Sequence, residues 1–94
     1  MKLKKVIIIG AGIAGIASSI RLRAKGFDVK VFESNSYPGG KISSFNLGDY
    51  RFDAGPSLFT MPHFVDELFD LFSENSKDHF LYKKKDISCN YFWE

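Results

Sequence analysis

Cysteine and histidine are scarce in this chain, which has one cysteine and two histidines among 94 residues. The single Cys89 excludes an internal disulfide, and a reducing compartment is the simplest interpretation, so we predict a cytoplasmic protein. His63 and His79 have no ligand partners at metal-binding spacing, and we predict no metal site. The sequence suggests no Ser-His-Asp or Cys-His constellation, so no residue is assigned as catalytic.

Charge of one sign and long apolar runs are also lacking. The 13 lysines and arginines nearly balance the 11 acids, and a net charge of +2 is too small to predict a nucleic-acid partner. The apolar run from Val6 to Ala17 follows several lysines and superficially resembles a signal peptide. Its three glycines and the acid Glu33 soon after it favour a different interpretation, and the run is too short for a membrane span.

The stretch from Lys5 to Gly15, K-V-I-I-I-G-A-G-I-A-G, organises the chain. Its β-branched run, Val6 to Ile9, predicts a strand buried on both faces, as in a parallel sheet covered by helices. The glycines that follow have the G-x-G-x-x-G spacing. In that spacing Gly10 permits a tight turn, Gly12 lets a diphosphate approach the backbone, and Gly15 lets the next helix pack closely on the strand.

A helix and a second strand follow the glycines. Apolar residues recur at helical spacing from Ile13 to Ala24, and Gly26 is a suitable left-handed helix stop. The run Val29 to Phe32 predicts the second strand, which ends at Glu33. An acid at this distance from the glycines is placed to accept hydrogen bonds from both hydroxyls of an adenosine ribose. A βαβ unit that binds nothing is the alternative, but the order of these features favours a dinucleotide site.

The middle of the chain predicts turns and a hairpin. Pro38-Gly39-Gly40-Lys41 suits either a second wall of a diphosphate site or an ordinary solvent turn. Ile42 to Asp53 alternates apolar and polar residues around a Gly48-Asp49 turn, which predicts a β-hairpin. The Gly55-Pro56 pair then predicts a rigid corner.

The C-terminal third predicts a helix and a strand. The helix begins at Pro62, with Thr60 near its cap, and its apolar face runs from Phe64 to Phe72. Such a face is more often core than a contact with an apolar substrate or a membrane. Lys83 to Lys85 form a basic run that is usually only solvated, and Ile87 to Trp93 predicts another strand.

These elements define an α/β fold: a βαβ unit followed by a hairpin and a helix, within one domain and with an incomplete sheet. A dinucleotide-binding sheet normally has further βα units beside the first. We therefore expect residues 1–94 to be the N-terminal part of one such domain. The rest of that domain and a substrate domain are expected beyond Glu94.

Several motifs together resemble the bacterial-type carotenoid desaturases, the phytoene desaturase relatives within the FAD-dependent amine oxidase-like group. They are V-I-I-I-G-A-G-I-A-G, the acid Glu33, P-G-G-K, and Y-R-F-D-A-G-P-S-L-F-T-M-P. The resemblance covers essentially the whole chain, and F-D-A-G-P-S is its most specific part. Lys41 stands where many relatives carry arginine, so it keeps the charge without the planar guanidinium fork.

The resemblance implies a Rossmann-like FAD-binding domain that holds FAD in an extended form. The implied cofactor residues fall into four groups along the chain. The diphosphate lies against Gly10, Gly12, Ile13, Ala14 and Gly15; the adenosine ribose against Glu33; the phosphates toward the flavin against Gly39, Gly40 and Lys41; and the flavin ring against Gly55, Pro56 and Ser57.

The resemblance also implies the activity, which is flavin-dependent removal of hydrogen from a saturated C–C bond of a polyene. Substrates of this family dissolve in membranes. A peripheral contact at the cytoplasmic face of the membrane is therefore expected, through the Phe64–Phe72 helix and Lys83–Lys85. Alternatives are another flavin enzyme of the group, such as an amine oxidase or a retinoid saturase-like enzyme, a lipid-binding protein of the Rab GDP-dissociation inhibitor type, and an NAD-dependent dehydrogenase.

Overall fold

The computed structural model describes residues 2–94, and a βαβ unit forms its first third. Strand β1 (Lys5–Ile9), helix α1 (Ile13–Ala24) and strand β2 (Asp28–Phe32) follow one another. The two strands are parallel, with Val6 opposite Val29. Gly26 has φ +94° just after the helix, so the predicted left-handed stop is confirmed.

A β-hairpin follows the βαβ unit. Strands β3 (Ser44–Leu47) and β4 (Tyr50–Asp53) pair antiparallel around the predicted turn, where Gly48 has φ +59°. The opposed rings of Phe45 and Phe52 stack with centroids 5.6 Å apart, which stabilises one face of the hairpin. The first strand begins at Ser44, two residues later than the sequence pattern suggests.

Helix α2 (Pro62–Asp70) and a single 3₁₀ turn (Ser76–Asp78) complete the regular structure. Pro62 lies in the first turn of α2, as predicted. Thr60 lies next to the cap, as predicted; the cap position itself is occupied by Met61 with φ +53°, and no side chain caps the helix. Within residues 2–94, neither helix has the length and apolarity needed to cross a membrane.

Strand β1 is not buried on both faces, contrary to the prediction. Successive side chains of a strand point to opposite faces, and helix α1 covers only the face that carries Val6 and Ile8, which are half-buried. On the other face, Ile7 is 63% exposed and Ile9 is 83% exposed. The prediction fails because the described residues place no second layer over this face. As expected, the sheet is incomplete, with two strands in each of two separate sheets.

The strand predicted for Ile87 to Trp93 does not form. This segment has no regular secondary structure, and its side chains are exposed, Phe92 by 91% and Trp93 by 88%. A strand needs a neighbour that pairs with its N–H and C=O groups. Neither two-stranded sheet in residues 2–94 takes this segment as a partner, so its β-forming composition is not sufficient.

Candidate dinucleotide site

The glycine turn, residues 10–12 between β1 and α1, forms the centre of the site. Gly10 has φ +103°, which favours glycine, and its N–H donates a 2.7 Å hydrogen bond to the Phe32 carbonyl at the end of β2. Helix α1 then passes so close to the strand that a Cβ at Gly15 would overlap the Gly10 carbonyl oxygen. The turn therefore lies at the carboxyl ends of both parallel strands, where ligands of open α/β sheets bind.

Gly12 differs from these two glycines because nothing inside the chain requires it. Its φ of −72° is open to any residue, and a Cβ there would meet no atom within 4 Å. It precedes α1, whose N-terminus has no side-chain cap, and a helix leaves the N–H groups of its first turn without partners inside the helix. Ile13 and Ala14 in that turn are exposed. The result is open space in front of N–H groups, which suits a phosphate.

Glu33 lies at the end of β2 and reaches the same turn. Its Oε1 accepts a 2.8 Å hydrogen bond from the N–H of Ala11, and its Oε2 accepts one of 2.8 Å from the N–H of Asn35. The Ser34 hydroxyl makes a longer contact of 3.4 Å with Oε2. These donors, the Asn35 N–H first and the Ala11 N–H second, favour the carboxylate and hold the pKa of Glu33 below its usual value.

The segment after β2 folds back against the glycine turn. The Gly39 N–H donates a 2.7 Å hydrogen bond to the Ala11 carbonyl, and Gly39 pairs with Gly12 as an isolated parallel bridge. Gly39 has φ +116° and Gly40 has φ +61°, and a Cβ on Gly40 would lie 3.1 Å from the Gly12 Cα. The segment therefore packs against the turn between β1 and α1 and is not a turn lying free in solvent. The Lys41 side chain is exposed.

Gly55 contacts the chain in a way that the sequence did not indicate. A Cβ there would overlap the Lys41 carbonyl oxygen, so glycine is needed for the hairpin exit to pack on this loop. The adjacent N–H of Ala54 donates a 2.8 Å hydrogen bond to the Ser43 carbonyl. Pro56 and Ser57, which follow, are exposed.

Two residues of the site were missed by the sequence analysis. Ala11 is 7% exposed, and its N–H and C=O bind Glu33 and Gly39 respectively. Asn35 contributes its backbone N–H to Glu33. Backbone groups are common to all residue types, so no signal in the side chains marks these positions. Only their place between recognisable motifs could have suggested them.

Most of this chain matches a known protein family. The family described as "NAD(P)-binding Rossmann-like domain" matches residues 8–74, which include the glycine turn, Glu33 and the 39–41 segment.

Several curated proteins that are similar to this chain are named as desaturases or oxygenases. A 1-hydroxycarotenoid 3,4-desaturase of Flavobacterium sp. (strain P99-3) is 58% identical over 98% of this chain and 19% of its own length. A phytoene desaturase of Phycomyces blakesleeanus is 46% identical, over 81% of this chain and 13% of its own. A 4,4'-diaponeurosporene oxygenase of Staphylococcus haemolyticus is 42% identical, over 84% and 16% respectively. The chain thus spans about a fifth or less of these relatives.

A solved structure agrees with the fold. The crystal structure of an oxidoreductase from Methanosarcina mazei is similar with a TM-score of 0.59 and 30% identity, over 68% of this chain and 17% of that one. It adds an independent match to the fold of this chain. The chain belongs to the NAD(P)-binding Rossmann-like domain family, and its glycine turn is part of a dinucleotide-binding unit.

Proposed function

We propose that the protein is an FAD-dependent carotenoid desaturase, in which residues 1–94 bind the ADP half of the cofactor. The observation that carries the proposal is the open space at Gly12. Neither backbone conformation nor packing requires glycine at this position. A ligand that occupies the open space explains why the residue is glycine. The identity of 58% with a 1-hydroxycarotenoid desaturase supports the class of reaction.

Each part of the cofactor has a proposed place. The diphosphate lies against Gly10, Gly12 and the first turn of α1, formed by Ile13, Ala14 and Gly15. The adenosine ribose lies against Glu33. Gly39, Gly40 and Lys41 continue along the phosphates toward the flavin, and Gly55, Pro56 and Ser57 lie nearer the ring.

FAD is favoured over NAD by the second wall of the site. Gly39 and Gly40 bring a second stretch of backbone against Gly12, as the resemblance to the FAD group implies. The test is a titration of the purified full-length protein with FAD and with NAD. A yellow protein whose affinity for FAD far exceeds that for NAD supports the proposal. Tighter binding of NAD overturns the FAD assignment.

The proposed reaction removes two hydrogens from a saturated C–C bond of a polyene and leaves a conjugated double bond. FAD, when bound, would supply the acceptor for these two hydrogens, and a further electron acceptor would be needed to complete the cycle. The residues of this chain bind and orient the ADP half of the cofactor. None of them is proposed as catalytic.

Expression of the full-length gene in cells that accumulate phytoene or 1-hydroxycarotenoids tests the substrate class. A desaturase gives products that are two hydrogens lighter per step and absorb at longer wavelength.

The 42% identity with a diaponeurosporene oxygenase favours carotenoid oxygenation as the second candidate. An oxygenase gives products that contain an added oxygen, so mass spectrometry of the pigments separates the two.

We also propose a peripheral contact with the cytoplasmic face of the membrane. Phe64 is 49% exposed and Phe72 is 48% exposed, and Lys83 to Lys85 are exposed. Exposed aromatic side chains and exposed lysines on one protein suit an anionic lipid surface. Sedimentation of the full-length protein with phosphatidylglycerol vesicles, and its loss at high salt, tests this contact. Equal binding to neutral phosphatidylcholine vesicles excludes a role for the lysines.

A further inference from the structure

The carboxylate of Glu33 holds two loops of the site together before any ligand binds. Oε1 accepts the N–H of Ala11 in the turn between β1 and α1, and Oε2 accepts the N–H of Asn35 in the loop after β2. Both distances are 2.8 Å, which is short enough for a charge-assisted hydrogen bond. A residue whose only role is to bind the ribose would not need either of these bonds.

The two backbone bonds leave Glu33 able to bind a ribose as well. An ionised carboxylate has two oxygens and about four lone-pair sites in total. Ala11 and Asn35 each use one site, on different oxygens, so each oxygen keeps a site for one ribose hydroxyl. The Ser34 hydroxyl, at 3.4 Å, is a weak competitor for Oε2. One side chain can therefore serve the ribose and the turn at the same time.

Ala11 is held from both sides. Its N–H is bound by Glu33, while its C=O accepts the Gly39 N–H at 2.7 Å. It is the most buried apolar residue described, at 7% exposure, and Gly12 with its open space follows it directly. Fixing the Ala11 peptide fixes the start of α1 at Ile13, because only Gly12 lies between them. A turn that is already ordered loses less conformational entropy when a phosphate binds.

We propose that Glu33 is a positioning residue for the diphosphate, acting through the Ala11 and Asn35 N–H groups, in addition to its contact with the ribose. This inference rests on the proposed dinucleotide function. It predicts that removal of the carboxylate weakens a ligand that has no ribose hydroxyls. A residue that only binds the ribose has no such effect.

The test is a binding cycle on the full-length protein with its FAD removed. ADP and 2',3'-dideoxy-ADP, which lacks both ribose hydroxyls, are titrated against the wild type, Glu33→Gln and the control Ser34→Ala. Glutamine keeps one acceptor oxygen but presents N–H₂ where the second oxygen accepted a backbone N–H. We expect Glu33→Gln to weaken dideoxy-ADP about tenfold, from the loss of one charge-assisted bond. Ser34→Ala changes either affinity by less than about twofold, as expected for so weak a contact.

The outcomes separate the two levels of the proposal. If the wild type binds neither FAD nor ADP, the proposed function fails. The second case is a wild type that binds both ligands. If Glu33→Gln then lowers the affinity for ADP but leaves the affinity for dideoxy-ADP unchanged, Glu33 serves the ribose alone and the positioning role is wrong.

Hydrogen exchange of the wild type gives a test that does not depend on a variant that folds. In the ligand-free protein we expect the amides of Ala11 and Asn35 to exchange more slowly than that of Ser36, by about tenfold or more. Exchange of both amides at the rate of unprotected loop amides overturns the proposal, even if the Glu33→Gln protein cannot be prepared.

Discussion

At the scale of single residues, the glycines of this chain do different work. Gly15 and Gly55 are required by packing, because a Cβ at either would overlap a backbone carbonyl. Gly10 is required by its backbone conformation, with φ +103°. Gly12 meets neither requirement, so it marks the place where the chain leaves room for something else.

Alanine substitutions at Gly12 and Gly55 should therefore affect different properties, the first mainly FAD affinity and the second mainly stability. Gly12→Ala adds a methyl group to open space, so we expect the free energy of unfolding to fall by no more than about 1 kcal/mol, a helix-cap effect. FAD affinity should fall at least about tenfold, since the methyl group occupies the room left for the diphosphate. Gly55→Ala should lower the free energy of unfolding by about 1–3 kcal/mol through overpacking.

Denaturant unfolding and FAD titration of the two variants provide the measurements. A Gly12→Ala protein that retains the affinity of the wild type for FAD would contradict the proposed place of the diphosphate.

The ionisation of Glu33 links the site to pH. Its pKa in the folded protein lies below the ordinary value, because the Asn35 and Ala11 N–H groups bind the charged form. The unfolded chain therefore holds more protons in the interval between the two pKa values, and stability rises with pH there. The contribution of Glu33 to stability is fully present above the ordinary glutamate pKa of about 4.3, and it is lost as pH falls through the pKa of the folded protein.

The comparison is between wild type and Glu33→Gln, since glutamine does not titrate. We expect their difference in free energy of unfolding to stay constant from about pH 7 to pH 5 and to shrink below about pH 4.3. Chemical denaturation at a series of pH values measures it. A difference that persists unchanged to about pH 3 would show that the two backbone bonds do not favour the carboxylate.

At the scale of elements, an ion pair joins helix α2 to α1. Arg21 Nη2 lies 3.3 Å from Glu67 Oε2, but both side chains are about half exposed. Exposed pairs contribute little, because water and salt screen them. The other side of α2 carries Phe69, whose ring packs against His79 at 5.0 Å and Phe80 at 6.0 Å between centroids. The apolar contacts should therefore dominate the packing of this helix.

Two substitutions on α2 separate these contributions. Glu67→Gln should lower the free energy of unfolding by less than about 0.5 kcal/mol. Phe69→Ala should lower it by about 2 kcal/mol, less than for a fully buried ring because Phe69 is only half-buried. Urea unfolding of both variants measures the difference. A larger effect at Glu67 than at Phe69 would mean that the ion pair, and not the aromatic cluster, holds α2.

At the scale of the whole molecule, the chain is open. Its radius of gyration is 16.9 Å, whereas a compact domain of this length has about 12 Å. The sheet face that carries Ile7 and Ile9 is bare. Because the relatives are longer, we propose that further βα units of an FAD-binding domain cover that face in the full-length protein.

Lysine at Ile9 tests whether this face is covered. In the full-length protein we expect Ile9→Lys to lower the free energy of unfolding by more than about 2 kcal/mol, because it buries an unpaired charge. In residues 1–94 alone, where Ile9 is 83% exposed, the same change should have little effect on stability and should reduce self-association. Thermal unfolding and light scattering measure the two effects. A stable full-length Ile9→Lys protein would show that the face remains in solvent.

The local elements and the family were determined by the sequence alone. The β-branched run, the glycine spacing, the helical period and the Gly48 turn are short-range signals, and each predicts its element from neighbouring residues. They placed the βαβ unit, the hairpin and helix α2, and the motifs at their ends identified the dinucleotide unit.

Only the tertiary structure decided how these pieces meet. The tertiary structure packs Gly55 on Lys41, binds Glu33 to Ala11 and Asn35, and leaves one face of β1 bare. The partners in these contacts are distant in the sequence or are backbone groups. The unpaired Ile87–Trp93 segment is the same case, because a strand exists only where another strand accepts it. Side-chain patterns encode local conformation, whereas backbone contacts and strand pairing depend on which segments the fold brings together.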